Sequence, residues 1–259
     1  MNSPRNEANK FAAPPLSKPG MDESRWEKIA QNLKTIGGAV LLALLIRTCL
    51  FEAFEIEGPS MEPTLLNGDR VVVAKFLYGL FLPFRDHADL NWGGPNLGDV
   101  VIIKSPADGV DIVKRVIGVA GDTIEMHDDL VYRNGKPLPR EDKGKCQAGI
   151  GPANPRCHWY GSKVGEHEFT TSSSRLSFDP PAVQVPPDHI YVLGDHRDSS
   201  NDSRNSALGV ISNTCVKGRA LSIYWSSYSA REGEPKSYLV GGVEEDRGVR
   251  WSRMFHNVR

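Results

Sequence analysis

Two residues in this chain could between them make an activated nucleophile. Ser60 stands in the turn-like stretch "EGPSMEPTL", and Lys114 stands in the apolar run "DIVKRVIG". A serine hydroxyl is a poor nucleophile until a neighbouring base takes its proton. A lysine amine can be that base only when neutral, and at its ordinary pKa of about 10.4 only on the order of one in a thousand is neutral near pH 7.4. Bringing that pKa down to near neutrality costs about 4 kcal/mol, which burial among aliphatic side chains can supply if nearby carboxylates are engaged elsewhere. On a strand, Ile112, Lys114 and Val116 share one face and Val113, Arg115 and Ile117 the other, so Lys114 falls between two aliphatic neighbours. Each residue also has a plain reading by itself: Ser60 as a turn serine, Lys114 as a strand lysine reaching solvent.

Histidine is the more familiar base, and the chain has seven: His87, His127, His158, His167, His189, His196 and His256. Only His196 lies in a stretch that reads as organised, "GDHRDSSNDSR", which also carries Asp195, Asp198, Ser200, Asp202 and Arg204. That acidic stretch lacks the Asp/Asn spacing and the glycine of a calcium-binding loop. No metal and no organic cofactor is expected.

These residues have to be positioned by the elements around them. Residues 1–33 open with "MNSPRNEANKFAAPPLSKPGMDES", Pro-, Asn- and Ser-rich without apolar period, which reads as a tail. The run "TIGGAVLLALLIRTCLF" is just long enough to cross about 30 Å of hydrocarbon as a helix, with Arg47 near its end able to snorkel. A membrane anchor, a buried helix and a cleaved secretory signal compete for this run. Its distance from the N-terminus and the lack of a small-x-small cut site favour the anchor, a transmembrane helix over 34–52. Arg25, Lys28 and Lys34 precede it and Glu52, Glu55, Glu57 and Glu62 follow it, which puts the tail in the cytoplasm and residues 53–259 outside.

Beyond residue 53 the signals are those of strands. "RVVVAKFLYG", "GDVVIIKSP", "DIVKRVIGVAGD", "DLVYRNGKPL", "HIYVLGD" and "KGRALSIYW" are short β-branched or aromatic runs between Gly, Pro, Asn and Asp, and Asn134-Gly135 is a hairpin signal. The expected fold is mainly β: an antiparallel core over about 55–125 and 188–225, with a more polar, Pro-rich, hairpin-rich insertion over about 126–187. Cys146 and Cys157 bracket a Gly/Pro-rich loop and are a possible disulfide, which in an oxidising compartment would contribute about 3 kcal/mol in the chain-entropy model. A formal net charge of -1 offers no global attraction to nucleic acid, and no basic patch suggests one locally.

The order of an apolar anchor, "GPSMEPTL", "GDVVIIKSP", "DIVKRVIGVAGD" and "GDHRDSSNDSR" resembles the bacterial type I signal peptidases, membrane-bound serine proteases that remove signal peptides from exported proteins. The resemblance runs from about Arg47 to Trp225, and the closing "VRWSRMFHNVR" is also similar to the family. It implies Ser60 as nucleophile and Lys114 as general base of a Ser/Lys dyad. It further implies Ser200 as a serine that orients the lysine, Asp195, Asp202 and Arg204 as supporting ion pairs, and Ile56, Met61, Leu65, Ile112 and Val113 as a shallow pocket for small side chains such as those of an Ala-x-Ala motif. The partners implied are signal-peptide-bearing precursors and the lipid bilayer, with the protein in the bacterial cytoplasmic membrane.

Three positions depart from the commonest family pattern. Gly58 replaces a serine that helps bind the oxyanion in some members, which leaves the Ser60 N–H, with a water or another amide, for that task. His196 stands where Asn is common, and Ala120 where Pro is common. The His196 departure keeps open a Ser/His/Asp hydrolase built from Ser60, His196 and Asp198. A non-enzymatic membrane-tethered β module is the remaining alternative.

Overall fold

The alternation of apolar and polar residues from position 51 onward produces strands that pair mostly with the next strand in the chain, a few distant pairings closing the main sheet. The structure, a computed structural model, describes residues 23–45, 50–80, 90–146, 156–174, 179–227, 237–240, 243–246 and 248–258. Residues 1–22 of the expected tail, Arg47 and Cys49 of the expected span, His87 and the interior of the 146–157 loop lie outside them.

Residues 1–44 and 45–259 form two units. In the first, helix α1 (Glu23–Leu45) begins well before the expected start of the span. The reason is visible in "ESRWEKIAQNLK": Trp26, Ile29, Leu33 and Ile36 recur at helical spacing, all of them exposed. No helix among the described residues is long and apolar enough to cross a membrane. The far end of the expected 34–52 helix is also corrected, because Phe51 and Glu52 belong to a strand. "FEAFE" has the period of a strand, and Glu52 and Glu55 form ion pairs with Lys75 (3.1 Å) and Arg70 (3.0 Å).

Among the described residues the second unit has eighteen strands. In chain order they are β1 (Phe51–Glu55), β2 (Asp69–Ala74), β3 (Gly79–Leu80), β4 (Leu90–Asn91), β5 (Val100–Lys104), β6 (Asp111–Val119), β7 (Thr123–His127), β8 (Leu130–Arg133) and β9 (Lys136–Pro137). They continue with β10 (Arg140–Lys145), β11 (His158–Val164), β12 (His167–Ser173), β13 (Val183–Gln184), β14 (His189–Leu193), β15 (Ile211–Ser212), β16 (Val216–Ser226), β17 (Ser237–Val240) and β18 (Val243–Asp246). An antiparallel sheet of order β1-β2-β16-β5-β6-β14-β15 is the main layer. A four-stranded sheet β13-β7-β8-β9, a three-stranded sheet β10-β11-β12 and two small pairs, β3-β4 and β17-β18, accompany it. Asn134 and Gly135 both take positive φ (54° and 73°) in the β8–β9 turn, the backbone that this dipeptide favours.

Three apolar clusters hold the layers together. One packs Ile56, Met61 and Leu65 against Val71, Val73, Val100, Ile102, Ala220 and Ile223; a second joins Val101, Ile103, Val116, Ile190 and Val192. The third spans the main sheet and the inserted region, because Ile117, Tyr191 and Leu193 pack with Ile124, Met126, Val131, Val164 and Phe169. The inserted strands therefore share a core with the sheet that they interrupt. Cys146 and Cys157 are joined as a disulfide with their Cα atoms 5.3 Å apart, and the Cys146 N–H donates to the Cys157 carbonyl.

A short 3-10 turn at Trp251–Arg253 returns the chain to β16 and to the loop before β2. Asp69, fully buried, accepts from Arg253 Nη2 at 2.6 Å, from Ser226 Oγ and from the Leu66 N–H. Arg253 Nη2 also donates to the Thr64 carbonyl (2.9 Å), and Arg250 Nη2 donates to the Asn67 carbonyl. Removing one side of a buried ion pair leaves the other charge uncompensated. Asp69→Ala is expected to lower the unfolding free energy by about 3–5 kcal/mol in urea denaturation; a loss below about 1 kcal/mol would show that the arginines find other partners.

Candidate active site

Ser60 lies in the turn between β1 and β2, and the backbone closes that turn at its base. The Ile56 N–H donates to the Asp69 carbonyl (2.8 Å) and the Gly68 N–H to the Ile56 carbonyl (2.9 Å). Gly58, two residues before the serine, has φ of 87°, a conformation that a β-carbon would strain, and its N–H donates to Asn67 Oδ1 at 3.0 Å. Ser60 is thus held half-buried at the head of a loop that is fixed from both sides.

Lys114 comes from the middle of β6, where Val101 of β5 is its cross-strand partner. Its side chain is 3% exposed. Nζ lies 2.9 Å from Ser60 Oγ and donates to the Val113 carbonyl at 2.8 Å. Burial pushes the amine down from its ordinary value to about 8; Asp202 and Asp195 oppose that shift and Arg204 assists it. A neutral amine in this geometry keeps one N–H on Val113 and offers its lone pair to the Ser60 hydroxyl.

The two carboxylates are each engaged by an arginine. Asp195, two residues past β14, takes a bidentate pair from Arg115: Nε to Oδ1 at 2.8 Å and Nη2 to Oδ2 at 2.7 Å. Thr64 Oγ1 donates to the same carboxylate, and Arg115 Nη1 donates to the Gly98 carbonyl at 2.9 Å. Asp202 takes a second bidentate pair from Arg204, at 2.8 and 2.9 Å, and accepts from the Gly194 N–H at 3.0 Å. Burial works to raise the Asp202 carboxyl, but Arg204, the Gly194 N–H and Ser200 together outweigh it and hold the group below the usual carboxylate range.

Ser200 follows a 3-10 turn at Arg197–Ser199 and packs against Gly194. A β-carbon at position 194 would collide with the Ser200 side chain and with the Ser60 carbonyl, so only glycine lets the loop approach the nucleophile so closely. Ser200 Oγ is buried and makes no hydrogen bond to Lys114; the carboxylate that it helps to hold down is Asp202. His196 holds the nucleophile turn from the other side: its N–H donates to the Ser60 carbonyl (3.1 Å) and its ring Nδ1 to the Pro59 carbonyl (3.2 Å). Asp198 accepts from the Ser174 N–H at 2.6 Å. The three residues of the triad alternative are therefore near one another, but neither ring nitrogen of His196 has a hydrogen bond to Ser60 Oγ. Burial lowers the pKa of that imidazole.

The expected pocket residues divide between two clusters. Ile56, Met61 and Leu65 are core residues of the first cluster, with Val113 packed against them; Ile112 packs against the second. Among the described residues no group of His, Cys, Asp or Glu could hold a metal ion. The residues that sequence reasoning missed are Arg115, Thr64, Asn67 and Gly194. Arg115 carried a signal, since an arginine between Val113 and Ile117 on a strand that buries both faces requires a counter-ion.

A profile of the family described as signal peptidase, peptidase S26, matches residues 29–225. Signal peptidase I of Pseudomonas fluorescens is 33% identical over 206 residues, covering 74% of this chain and 71% of the relative. Signal peptidase I of Bacillus licheniformis is 36% identical over 197 residues (74% and 87%), and signal peptidase I T of Bacillus subtilis is 35% identical over 201 residues (77% and 86%). The matched span holds Ser60, Lys114 and the whole 194–204 loop, and the chain belongs to the signal peptidase family, peptidase S26, as a serine endopeptidase.

Proposed function

We propose that this endopeptidase removes N-terminal signal peptides from exported precursors with a Ser60/Lys114 dyad, cutting after small residues of the Ala-x-Ala type. The observation that carries the reading is the 2.9 Å approach of Ser60 Oγ to a buried Lys114 amine whose pKa is about 8. Ser60 Oγ attacks the carbonyl of the residue before the cut while Lys114 takes its proton. The resulting ammonium gives that proton to the leaving amine, and an acyl-enzyme remains. Lys114, neutral again, then deprotonates a water that releases the acyl group. The Ser60 N–H is a donor for the oxyanion, since no described residue accepts from it.

An extended peptide has a place to add. Residues 111–114 of β6 pair with β5 on one side, whereas β14 covers only Arg115–Val119 on the other. A stretch of strand edge beside the dyad that no described strand covers supports substrate binding by strand addition near residues 111–113 and 54–58. Ile56, Met61, Leu65 and Val113 pack tightly beside this region, which supports a preference for small side chains. The exposed Ile29, Leu33, Ile36, Val40, Leu41 and Leu42 of α1, with the charge asymmetry of the flanks, support tethering to the cytoplasmic membrane with the catalytic unit on its outer face. Neither a metal nor an organic cofactor enters the chemistry proposed.

The test is cleavage of a secretory precursor by the full chain in detergent. Ser60→Ala and Lys114→Ala are each expected to lower kcat/KM by at least about a thousandfold, and retained activity in either would falsify the dyad. The neutral amine is the active form, so kcat/KM should rise with pH up to about 8 and then level; a limb near 6 that survives Lys114→Ala would indicate His196 instead. Asp202 stabilises the Lys114 ammonium. Asp202→Asn is therefore expected to move the limb to lower pH in the same pH–rate measurement, and an unchanged or higher limb would show that this carboxylate does not act on the lysine.

A further inference from the structure

The inserted region approaches the site through one strand. The Ser172 N–H of β12 donates to the Asp195 carbonyl at 2.9 Å, Ser172 and His196 form a parallel bridge, and the Ser174 N–H donates to Asp198. The same strand places the Phe169 ring 4.1 Å from Cζ of Arg115. The Arg115 side chain is fully buried, and its in-plane donors meet Asp195, the Gly98 carbonyl and Thr64 Oγ1. What hydrogen bonding cannot satisfy is the face of the guanidinium, and the electron-rich face of an aromatic ring complements it whereas an aliphatic side chain does not.

We propose that Phe169 is a positioning residue for the Ser60/Lys114 site, holding Arg115 and through it the Asp195 carboxylate that ties the lysine strand, the nucleophile turn and the 194–204 loop together. The inference rests on the dyad reading above. It gives the inserted region a role in catalysis: one strand of it forms the back wall of one of the two ion pairs that act on the dyad. Thr64, four residues after the nucleophile, and Arg115, one residue after the base, meet at Asp195. A guanidinium free to tilt therefore moves the two reacting residues relative to each other.

Phe169 also fills space in the third core cluster, so the test has to separate ring from volume. Phe169→Tyr keeps the π face, and Phe169→Leu and Phe169→Met keep apolar bulk without it. With the full chain in detergent, Phe169→Tyr is expected to retain kcat within about twofold, and Phe169→Leu and Phe169→Met to lose about five- to tenfold in kcat with KM within twofold, a gap that the melting temperatures do not track. Wild-type kcat in the Leu and Met variants, equal losses in all three, or a loss confined to KM would each overturn the proposal. Lys114→Ala run in parallel separates the two levels: activity retained there removes the dyad reading, whereas a dead Lys114→Ala beside a fully active Phe169→Leu removes only the role of the ring.

Discussion

The site depends on keeping one amine dry. A lysine 3% exposed, placed in the middle of an interior strand, loses the hydration that makes ammonium the favoured form. Any carboxylate left free beside it would restore the charge, and two carboxylates are close because the loop needs them as anchors. The structure resolves the conflict by giving each acid a bidentate arginine, Arg115 for Asp195 and Arg204 for Asp202, so that each carries its charge into the interior already compensated. The residual pull of both acids on Lys114 is what stops its amine at about 8.

The same two pairs are also the joints of the scaffold. Asp195 connects β6, the nucleophile turn and the end of β14 through Arg115 and Thr64, and Asp202 reaches back to the Gly194 backbone. Buried pairs of this kind contribute little to net stability because of their desolvation, but a mispositioned partner is strongly disfavoured. That makes them suited to fixing geometry. Around them the apolar clusters supply the bulk of the folding free energy, and the third cluster explains why the inserted strands cannot be regarded as an appendage: Phe169 and Val164 pack with Ile117 of the lysine strand.

Much of the architecture was legible. The β-branched runs around Val71, Ile102, Val116, Val192 and Ile223 all became strands of the main sheet, and Asn134-Gly135 became a tight turn. The start of α1 was missed because Trp26, Ile29 and Leu33 stand among charged residues, and β1 because the apolar run before it continues into Phe51 without a break in composition. The strands β10–β12 were not read individually, since "REDKGK" and "HEFTTSS" have little apolar alternation. For the site, the sequence order of the Ser60, Lys114 and 194–204 segments brought the right stretches together through a family resemblance. Asp202 and Arg204 pair within their own segment, whereas the arginine of Asp195, Arg115, lies 80 residues upstream: the strand pattern marks Arg115 as needing a counter-ion but does not say which acid supplies it.

The Arg253 contact to Asp69 closes the nucleophile turn with a residue 184 positions downstream. Contacts of such long range are the last that a chain can make, because both ends must be present and the intervening loop already closed. A growing polypeptide that has completed every strand of the main sheet still lacks the clamp on Thr64 and Asn67. Residues 250–253 thus reach the loop bearing Ser60 only once every strand of the main sheet is already in the chain.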